Sequence, residues 1–259
     1  MKAMVDSGSS RGRFRGTLQI FRYNWPSYVV GALACLTTLA LAQLPAWPSW
    51  VRLALSGGAA CAGFWLMSSL FASYWVYDRS ALCGWDWIAE LFPVAPSRWA
   101  NIHVGLDETT LKLRELFPGT ASTILDLYDP VEMTEPSIRR ARKLTPAPVP
   151  ATHAEVTSLP FSSQNLDAVF LIFAAHEIRR PELRLSFFRE LRRVLKPEGR
   201  ILIVEHLRDL PNFLAFGPGF FHFHSRREWL RVAREAGFAV AREFRFTPFV
   251  AVFLLEIAK

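Results

Sequence analysis

Two long runs without a charged side chain, residues 28–45 and 53–77, stand near the start of the chain. An α-helix needs about 20 apolar residues to cross the hydrocarbon core of a membrane, and the second run is long enough by itself. The first run is long enough if Trp25 and Trp47 mark its two interfaces, as aromatic residues do at membrane boundaries. The pattern therefore predicts a transmembrane helical hairpin over residues 27–79.

Pro45 and Pro48 lie between the two runs and suit a tight turn between antiparallel helices. The alternative for the first run is a cleaved signal peptide, which a basic segment in front of it would fit. A second long apolar run follows at once, however, and the residues around Pro45 make a poor cleavage site. The hairpin is therefore the preferred interpretation.

The distribution of Lys and Arg predicts the orientation of the hairpin. Residues 1–26 form a basic segment before the first run, whereas the connection between the runs carries only Arg52. The basic residues of the segment are Lys2, Arg11, Arg13, Arg15 and Arg22. Loops rich in Lys and Arg stay on the cytoplasmic side. We therefore expect both termini in the cytoplasm, in a multi-pass protein of the bacterial inner membrane.

From about residue 97 onward, short β-rich runs alternate with amphipathic helical runs, which is typical of an α/β fold with a mostly parallel sheet. The predicted strands cover residues 166–173, 200–205, 239–246 and 249–257, and the predicted helices cover residues 181–195 and 225–236. The last two strands suit an antiparallel hairpin at the sheet edge, and residues 196–199 suit a turn. Residues 80–96 contain two tryptophans and two prolines, which predicts an interfacial helix and linker.

Composition narrows the classes of function. Hydrophobic residues make up 51% of the chain, and the net charge is +7. A basic chain with predicted membrane spans fits an anionic lipid surface better than nucleic acid, for which no binding motif is present. The cysteines Cys35, Cys61 and Cys83 form no C-x-x-C pair, which argues against a disulfide framework or a zinc site.

Several segments of the second half carry a family resemblance. They are Leu159-Pro160-Phe161, Leu166-Asp167-Ala168-Val169, the run from Phe188 to Arg200 that contains Lys196-Pro197-Glu198-Gly199, and Glu235-Ala236-Gly237-Phe238. Together they resemble the class I S-adenosylmethionine-dependent methyltransferases, above all the branch of quinone-biosynthesis and related small-molecule enzymes. The resemblance covers residues 97–259 and implies a Rossmann-like doubly wound sheet, mostly parallel, with an antiparallel last strand.

The resemblance implies S-adenosylmethionine as cofactor and a glycine-rich turn after the first strand. Counting back from the later motifs places this turn at residues 103–109. Gly105 is present there, whereas Asp107 and Thr109 stand where the family has its other glycines. Each of these replacements adds a Cβ and restricts the backbone. Gly105 and Asp107 are therefore the candidate cofactor-binding residues of a degenerate turn.

Two acidic residues complete the cofactor site that the resemblance implies. One ends the second strand and binds the ribose hydroxyls, and the spacing favours Asp129 over Asp126. Its alternative role is to cap the following helix. The other lies beside the adenine and corresponds to Glu155, four positions before Leu159. The alternative for Glu155 is a solvated loop acid.

Methyl transfer is an in-line displacement that depends on positioning, sometimes with one base. In the resembled family the end of the fourth strand faces cofactor and substrate, which makes His176 the candidate base or substrate contact. The alternative is a histidine satisfied within its own loop. His222, His224 and Asp209 are metal-ligand types, but the two histidines alternate with phenylalanines in an apolar loop. We therefore predict no metal site.

Five phenylalanines lie within residues 210–223, around Gly217-Pro218-Gly219. In the resembled family this position often covers the substrate. On a membrane-anchored domain the segment could instead dip into the lipid interface. Both interpretations indicate an apolar, membrane-resident substrate, and the alternative is a loop packed on its own core.

Two hypotheses for the function follow. The first is a membrane-anchored methyltransferase that acts on a lipophilic small molecule, a quinone or lipid, at the cytoplasmic face. The second, favoured by the degenerate turn, is a methyltransferase-like scaffold or assembly subunit of a membrane complex. In the second case, small residues of the second span would contact another membrane subunit rather than the first span. These residues are Ser56, Ala59, Ala60 and Gly63.

Overall fold

The computed structural model describes residues 14–259, and Lys2, Arg11 and Arg13 of the predicted basic tail lie outside the described residues. Within residues 14–259 the α-helices are α1 (Arg15–Ala42), α2 (Ser49–Tyr74), α3 (Trp87–Glu90), α4 (Thr110–Leu116), α5 (Pro136–Leu144), α6 (Pro181–Val194), α7 (Leu210–Phe216) and α8 (Arg226–Glu235). The β-strands are β1 (Arg98–His103), β2 (Ala121–Asp126), β3 (Thr152–His153), β4 (Leu166–Ile172), β5 (Leu195–His206), β6 (Phe238–Thr247) and β7 (Val250–Ile257).

The strands of the described chain form one sheet in the order β3-β2-β1-β4-β5-β7-β6. β7 runs antiparallel to both of its neighbours, β5 and β6, and the pairs among β1 to β5 are parallel. The predicted doubly wound, mostly parallel sheet is therefore confirmed. The strand order reverses between β1 and β4, and open α/β sheets bind ligands at such a point, beyond the carboxyl ends of the strands.

Helices cover both faces of the sheet, which explains why β4 is buried along nearly its whole length. On one face, Phe187 of α6 and Trp229 of α8 belong to a large buried cluster with the sheet residues. On the other face, Leu113 of α4 packs in a second cluster that includes Trp99 of β1. The predicted helices α6 and α8 and the strands β4, β6 and β7 are confirmed to within one residue at each end.

Residues 80–96 contain the short helix α3, and Trp85 and Ile88, which are 2% and 0% exposed, pack in the second core cluster. The interfacial position of this segment stays a prediction. A tryptophan that anchors at a membrane interface and one that fills a core follow the same local pattern. Residues 196–199, predicted as a turn, lie within β5 but bulge out of its pairing with β4, because Leu195 pairs with Leu166 and Arg200 already pairs with Ala168.

α1 and α2 form an adjacent helix pair at the start of the described chain. α1 begins at Arg15, earlier than the apolar run, and a π-helical turn at Trp75–Arg79 extends α2. By length and composition both helices are long and apolar enough to cross a membrane. Large apolar side chains such as Leu36, Leu53 and Met67 are exposed on the outer surface of the pair.

The small residues of α2 divide between two faces of the helix. Ala59 is buried against α1, where the thiol of Cys35 lies 3.7 Å from the carbonyl oxygen of Ala59. Ala60 is exposed, and the space where Gly63 would carry a Cβ is open. Packing against α1 thus accounts for Ala59, and contact of the other small residues with another subunit stays a prediction.

Polar contacts fix the helix pair over one edge of the sheet. Asp78, in the turn that extends α2, accepts hydrogen bonds through its carboxylate from the backbone N–H groups of Gly16 (2.7 Å) and Thr17 (2.8 Å). These N–H groups lie in the first turn of α1, where the helix itself offers them no acceptor. Tyr23 of α1 bonds through its hydroxyl to Thr145 at 2.6 Å, just beyond α5. α2 packs on α7, which follows the carboxyl end of β5. The pair therefore lies over the carboxyl ends of the strands.

Candidate functional site

The side chains that carry chemistry gather at the carboxyl ends of β1, β2, β4 and β5, beneath α1 and α2. They form two groups. The glycine-turn region comprises Gly105, Asp107, Asp126 and Arg142. The histidine cluster comprises His176, Glu177, Glu205 and His222.

Gly105 follows β1 with a φ angle of +118°, a conformation that residues with a Cβ rarely adopt. A Cβ at this position would also overlap the side chain of Arg142, which lies directly over the glycine. The glycine is therefore required twice, by its own backbone conformation and by the close approach of Arg142.

Asp107 replaces the second glycine of the turn and holds the turn together. Its Oδ1 accepts hydrogen bonds from the backbone N–H groups of Thr109 (3.1 Å) and Thr110 (2.9 Å) at the start of α4. It also accepts one from the side-chain amide of Asn101 at 3.1 Å. Asp107 is buried, and Oδ1 accepts all of these hydrogen bonds, whereas Oδ2 is buried without a hydrogen-bond partner. Cofactor binding by Asp107 stays a prediction.

The acid at the end of the second strand is Asp126. β2 ends at Asp126, so the spacing that favoured Asp129 for this position is wrong by three residues. The Asp129 carboxylate accepts a hydrogen bond from the N–H of Val131 at 2.7 Å and stabilises its own loop. Glu155 is exposed in a turn after β3, where its backbone pairs with that of Ser158. A contact of Glu155 with an adenine stays a prediction.

Arg142 of α5 covers the strand-end acid. Its Nη1 lies 2.7 Å from Oδ2 of Asp126, and its guanidinium stacks 4.3 Å from the ring centroid of Tyr128. The same Nη1 donates to the carbonyl oxygen of Val104 at 3.3 Å. Arg142 therefore fills the space between Gly105 and Asp126. The sequence pattern did not predict this role, although the basic character of α5 is a signal that a cation stands near the acid.

His176 lies in the turn after β4, between two carboxylates. Its Nδ1 is 2.6 Å from Oε2 of the fully buried Glu205, and its Nε2 is 3.2 Å from Oε1 of Glu177. Burial alone would lower the pKa of His176, but the charges of Glu205 and Glu177 outweigh it and raise the pKa above neutrality. An imidazolium cannot accept a proton, so the predicted base role requires release of one of these contacts. A role as substrate contact does not.

Glu177 connects His176 to His222, which ends the 3₁₀ turn Gly217–His222. Nε2 of His222 is 3.1 Å from Oε1 of Glu177, and Nδ1 of His222 is 3.3 Å from Glu135 at the start of α5. Burial alone would raise the pKa of Glu177, but the two histidines outweigh the effect of burial and hold the pKa below its usual value. Oε2 of Glu177 is nevertheless buried without a hydrogen-bond partner.

His206, at the end of β5, is neutral. Its Nδ1 lies 3.0 Å from the carbonyl oxygen of Phe249, which can only accept, so Nδ1 carries the proton. Nε2 therefore accepts a hydrogen bond from the hydroxyl of Tyr77 at 3.2 Å. Burial, together with a nearby positive charge, lowers the pKa of His206 to about 4. The rings of Phe173 and Phe223 stack on it at 5.3 and 4.9 Å.

The phenylalanine-rich segment after β5 packs on α2. The rings of Phe213 and Trp65 are 5.5 Å apart, and the hydroxyl of Ser68 donates to the carbonyl oxygen of Ala215 at 2.8 Å. Three large apolar residues of the segment remain more than a third exposed beside α2. They are Leu210, Leu214 and Phe221.

Residues 120–203 match the family model described as a methyltransferase domain. The chain is similar to the ubiquinone/menaquinone biosynthesis C-methyltransferase UbiE of Ruegeria sp. (strain TM1040), with 28% identity over 132 residues, 49% of this chain and 48% of that protein. It is also similar to the demethylmenaquinone methyltransferase of Clavibacter sepedonicus, with 45% identity over 53 residues, 20% of each protein. The chain thus spans about half the length of the first relative and a fifth of the second.

Two solved structures have a similar fold. One is a SAM-dependent methyltransferase from Aquifex aeolicus, with 18% identity and a TM-score of 0.51, over 66% of this chain and 88% of that chain. The other is the O-methyltransferase NcsB1 from neocarzinostatin biosynthesis in complex with S-adenosylmethionine and 2-hydroxy-5-methyl naphthoic acid, with 15% identity and a TM-score of 0.50, over 94% and 73%. At these identities the likeness shows the fold, which is the one that the sequence predicted.

Proposed function

We propose that the chain is a membrane-anchored, S-adenosylmethionine-dependent methyltransferase that acts on a lipophilic small molecule, a quinone or a lipid, at the cytoplasmic face of the bacterial inner membrane. The matching methyltransferase domain and the quinone-biosynthesis relatives support the activity and the cofactor. The observation that carries the proposal is the position of α1 and α2. These apolar helices lie over the carboxyl edge of the sheet, where an α/β fold of this kind binds its ligands.

The residues of the glycine-turn region fit the cofactor once one side chain moves. Asp126 stands at the end of β2, where Oδ2 could accept hydrogen bonds from hydroxyl groups once Arg142 leaves it, and Gly105 lets a ligand approach the backbone of the turn. Arg142 occupies that approach, but it is a flexible side chain and 32% exposed. When bound, S-adenosylmethionine supplies an electrophilic methyl group. Asp126 and Gly105 would orient it, and Arg142 would have to turn away.

The surroundings of the site suit a flat or apolar acceptor. Tyr77, Phe173 and Phe223 enclose His206 at the end of β5, next to the histidine cluster. α7 and α2 meet beside it, and the exposed Leu214 and Phe221 continue the apolar surface of α2. A membrane-resident substrate would reach the site along this surface without crossing water. His176 would contact the acceptor, and its positive charge would favour an anionic oxygen.

Membrane anchoring can be tested by cysteine accessibility. Cys35, Cys61 and Cys83 are first replaced, and single cysteines are then placed at Ala46, between α1 and α2, and at Glu198, in β5. Both positions are exposed. We expect an impermeant thiol reagent to label the cysteine at residue 46 only from the periplasmic side and the cysteine at residue 198 only from the cytoplasmic side. Labelling of both from one side would contradict the two-span topology.

The activity is tested with the purified full chain in lipid nanodiscs, S-adenosylmethionine carrying a labelled methyl group, and a lipid and quinone extract. We expect labelled product in the organic phase. Asp126→Ala should abolish most of the label, and Asp129→Ala should leave it unchanged. Absence of transfer at a cofactor concentration shown by calorimetry to saturate the protein would contradict the proposal.

A scaffold or assembly subunit is the second candidate, and the position of Arg142 favours it. An arginine that neutralises Asp126 and fills the space over Gly105 suits a crevice that no longer binds a cofactor. A scaffold should leave mild detergent with stoichiometric partners. Ala60→Leu on the exposed face of α2 should then release those partners, whereas Met67→Leu, a conservative change on an exposed residue, should not. Isolation of the chain alone, with bound cofactor, would exclude this candidate.

A further inference from the structure

We propose that the histidine cluster is a divalent metal site, with Nε2 of His176, a carboxylate oxygen of Glu177 and Nε2 of His222 as protein ligands. The sequence pattern predicted no metal site, because it set His222 beside His224 and not beside the turn after β4. The fold brings His222 to Glu177 across a separation of 45 residues. No local spacing reveals this combination.

The distances within the cluster fit one small cation. The three ligand atoms lie within 4.8 Å of one another. Nε2 of His176 is 3.2 Å from Oε1 of Glu177, and Nε2 of His222 is 3.1 Å from the same oxygen. Nitrogen and oxygen ligands bound at about 2.0–2.2 Å to one Zn²⁺ lie about 3–3.5 Å from each other. Small side-chain rotations would therefore suffice to receive the ion.

Each histidine is already oriented as metal-bound histidines are. Nδ1 of His176 faces Oε2 of Glu205 at 2.6 Å, and Nδ1 of His222 faces Oε1 of Glu135 at 3.3 Å. A carboxylate on the outer nitrogen fixes the ring and directs the lone pair of Nε2 inward. Glu205 is fully buried, so its carboxylate interacts only with groups inside the protein.

The buried carboxylates of the histidine cluster also favour a cation. The side chain of Glu177 is 6% exposed, and its Oε2 has no hydrogen-bond partner. Arg179 supplies the nearest guanidinium, but its Nη2 remains 3.8 Å from that oxygen and lies instead 2.7 Å from Nε2 of His222, a position that it would have to leave when the ion binds. A bound metal would displace the proton that His176 holds at Nε2, and the carboxylates of Glu135, Glu177 and Glu205 with the guanidinium of Arg179 then leave a charge of minus two, which one divalent cation offsets. Arg179 is 31% exposed, so it has room to turn into solvent.

Two imidazoles and one carboxylate select a first-row cation such as Zn²⁺ over Mg²⁺ or Ca²⁺, which prefer oxygen ligands. Three protein ligands leave a coordination position for water or for an oxygen of the methyl acceptor, which the ion would polarise. That last role rests on the proposed function, whereas metal binding does not. Binding and methyl transfer can therefore fail independently.

The test uses the purified full chain in detergent, stripped with a chelator and titrated with Zn²⁺ by calorimetry and with Co²⁺ by visible absorption. We expect one equivalent of either ion. His222→Ala and Glu177→Gln should each weaken Zn²⁺ binding by at least about 100-fold, because each removes one of three ligands. Glu205→Gln should weaken it by about 10–100-fold through the orientation of His176. The matched control is His153→Ala, an exposed histidine on β3, which should change nothing.

The experiment distinguishes loss of metal binding from loss of the fold and from loss of methyl transfer. His222 is partly exposed, so His222→Ala should keep the fold, which circular dichroism checks. Binding that His222→Ala and Glu177→Gln leave unchanged would overturn the site, as would the absence of any Co²⁺ spectrum at millimolar ion. Zn²⁺ binding without methyl transfer would keep the site and reject the proposed function.

Discussion

The glycine-turn region and the histidine cluster both place an arginine beside a carboxylate at the same edge of the sheet. The two regions differ in how closely the arginine approaches the carboxylate. Arg142 meets Asp126 at 2.7 Å and also stacks on Tyr128, so the acid is satisfied. Arg179 stays 3.8 Å from Oε2 of Glu177, which is buried without a partner. Asp126 is thus held in a satisfied ion pair, whereas a single buried carboxylate oxygen without a partner, such as Oε2 of Glu177, carries a desolvation cost that a ligand can remove.

This difference indicates opposite behaviour towards ligands. In the glycine-turn region a ligand must displace an ion pair before it reaches Asp126, so breaking this ion pair reduces the free energy gained on binding. In the histidine cluster a cation would gain contacts that the protein leaves unmade.

Loss of Glu205 should have the largest effect on stability. Glu205→Ala leaves the imidazolium of His176 buried without its closest counter-charge, and we expect the free energy of unfolding to fall by about 3–5 kcal/mol. The matched control is Glu243→Ala, which breaks a surface ion pair with Arg226 and should cost no more than about 1 kcal/mol. Denaturant unfolding in detergent measures both. Equal losses would show that the cluster is no more strongly coupled than a surface pair.

The second prediction concerns which aspartate binds the cofactor. Asp126→Ala should weaken S-adenosylmethionine binding by about 1–3 kcal/mol, through loss of charge-assisted hydrogen bonds. Asp129→Ala should not, because its carboxylate serves its own loop. Calorimetry with both variants decides. A loss in Asp129→Ala alone would restore the position that the sequence spacing favoured.

The third prediction concerns the degenerate turn. Asp107→Gly restores the glycine of the resembled family, yet we expect no gain in cofactor affinity, because Arg142 and not Asp107 fills the approach to Gly105. The variant should lose about 1 kcal/mol of stability, since Oδ1 of Asp107 accepts hydrogen bonds from the backbone N–H groups of Thr109 and Thr110. Thermal unfolding and calorimetry on the same preparation check both parts. Tighter cofactor binding in Asp107→Gly would show that the aspartate itself obstructs the site.

The sequence predicted the second half of the fold well because its signals are local. Strand β4 is apolar apart from Asp167, and the Ser225 hydroxyl caps α8 by accepting a hydrogen bond from the N–H of Glu228, three positions along. The end of β2 was misplaced because leucines alternate with polar residues on both sides of Asp126, so the apolar pattern continues past the last paired residue. The histidine cluster depends on residues from three separated segments, which no local period contains.

We propose that the chain retains a cofactor site that Arg142 covers. Calorimetry of the full chain in detergent with S-adenosylmethionine can compare wild type with Arg142→Ala and with Arg139→Ala on the same helix. We expect weak binding to wild type and Arg139→Ala, and binding about tenfold tighter, about 1.4 kcal/mol, to Arg142→Ala, because the ion pair with Asp126 no longer has to be displaced. Absence of binding to all three proteins, with the fold intact, would contradict it and would favour the scaffold.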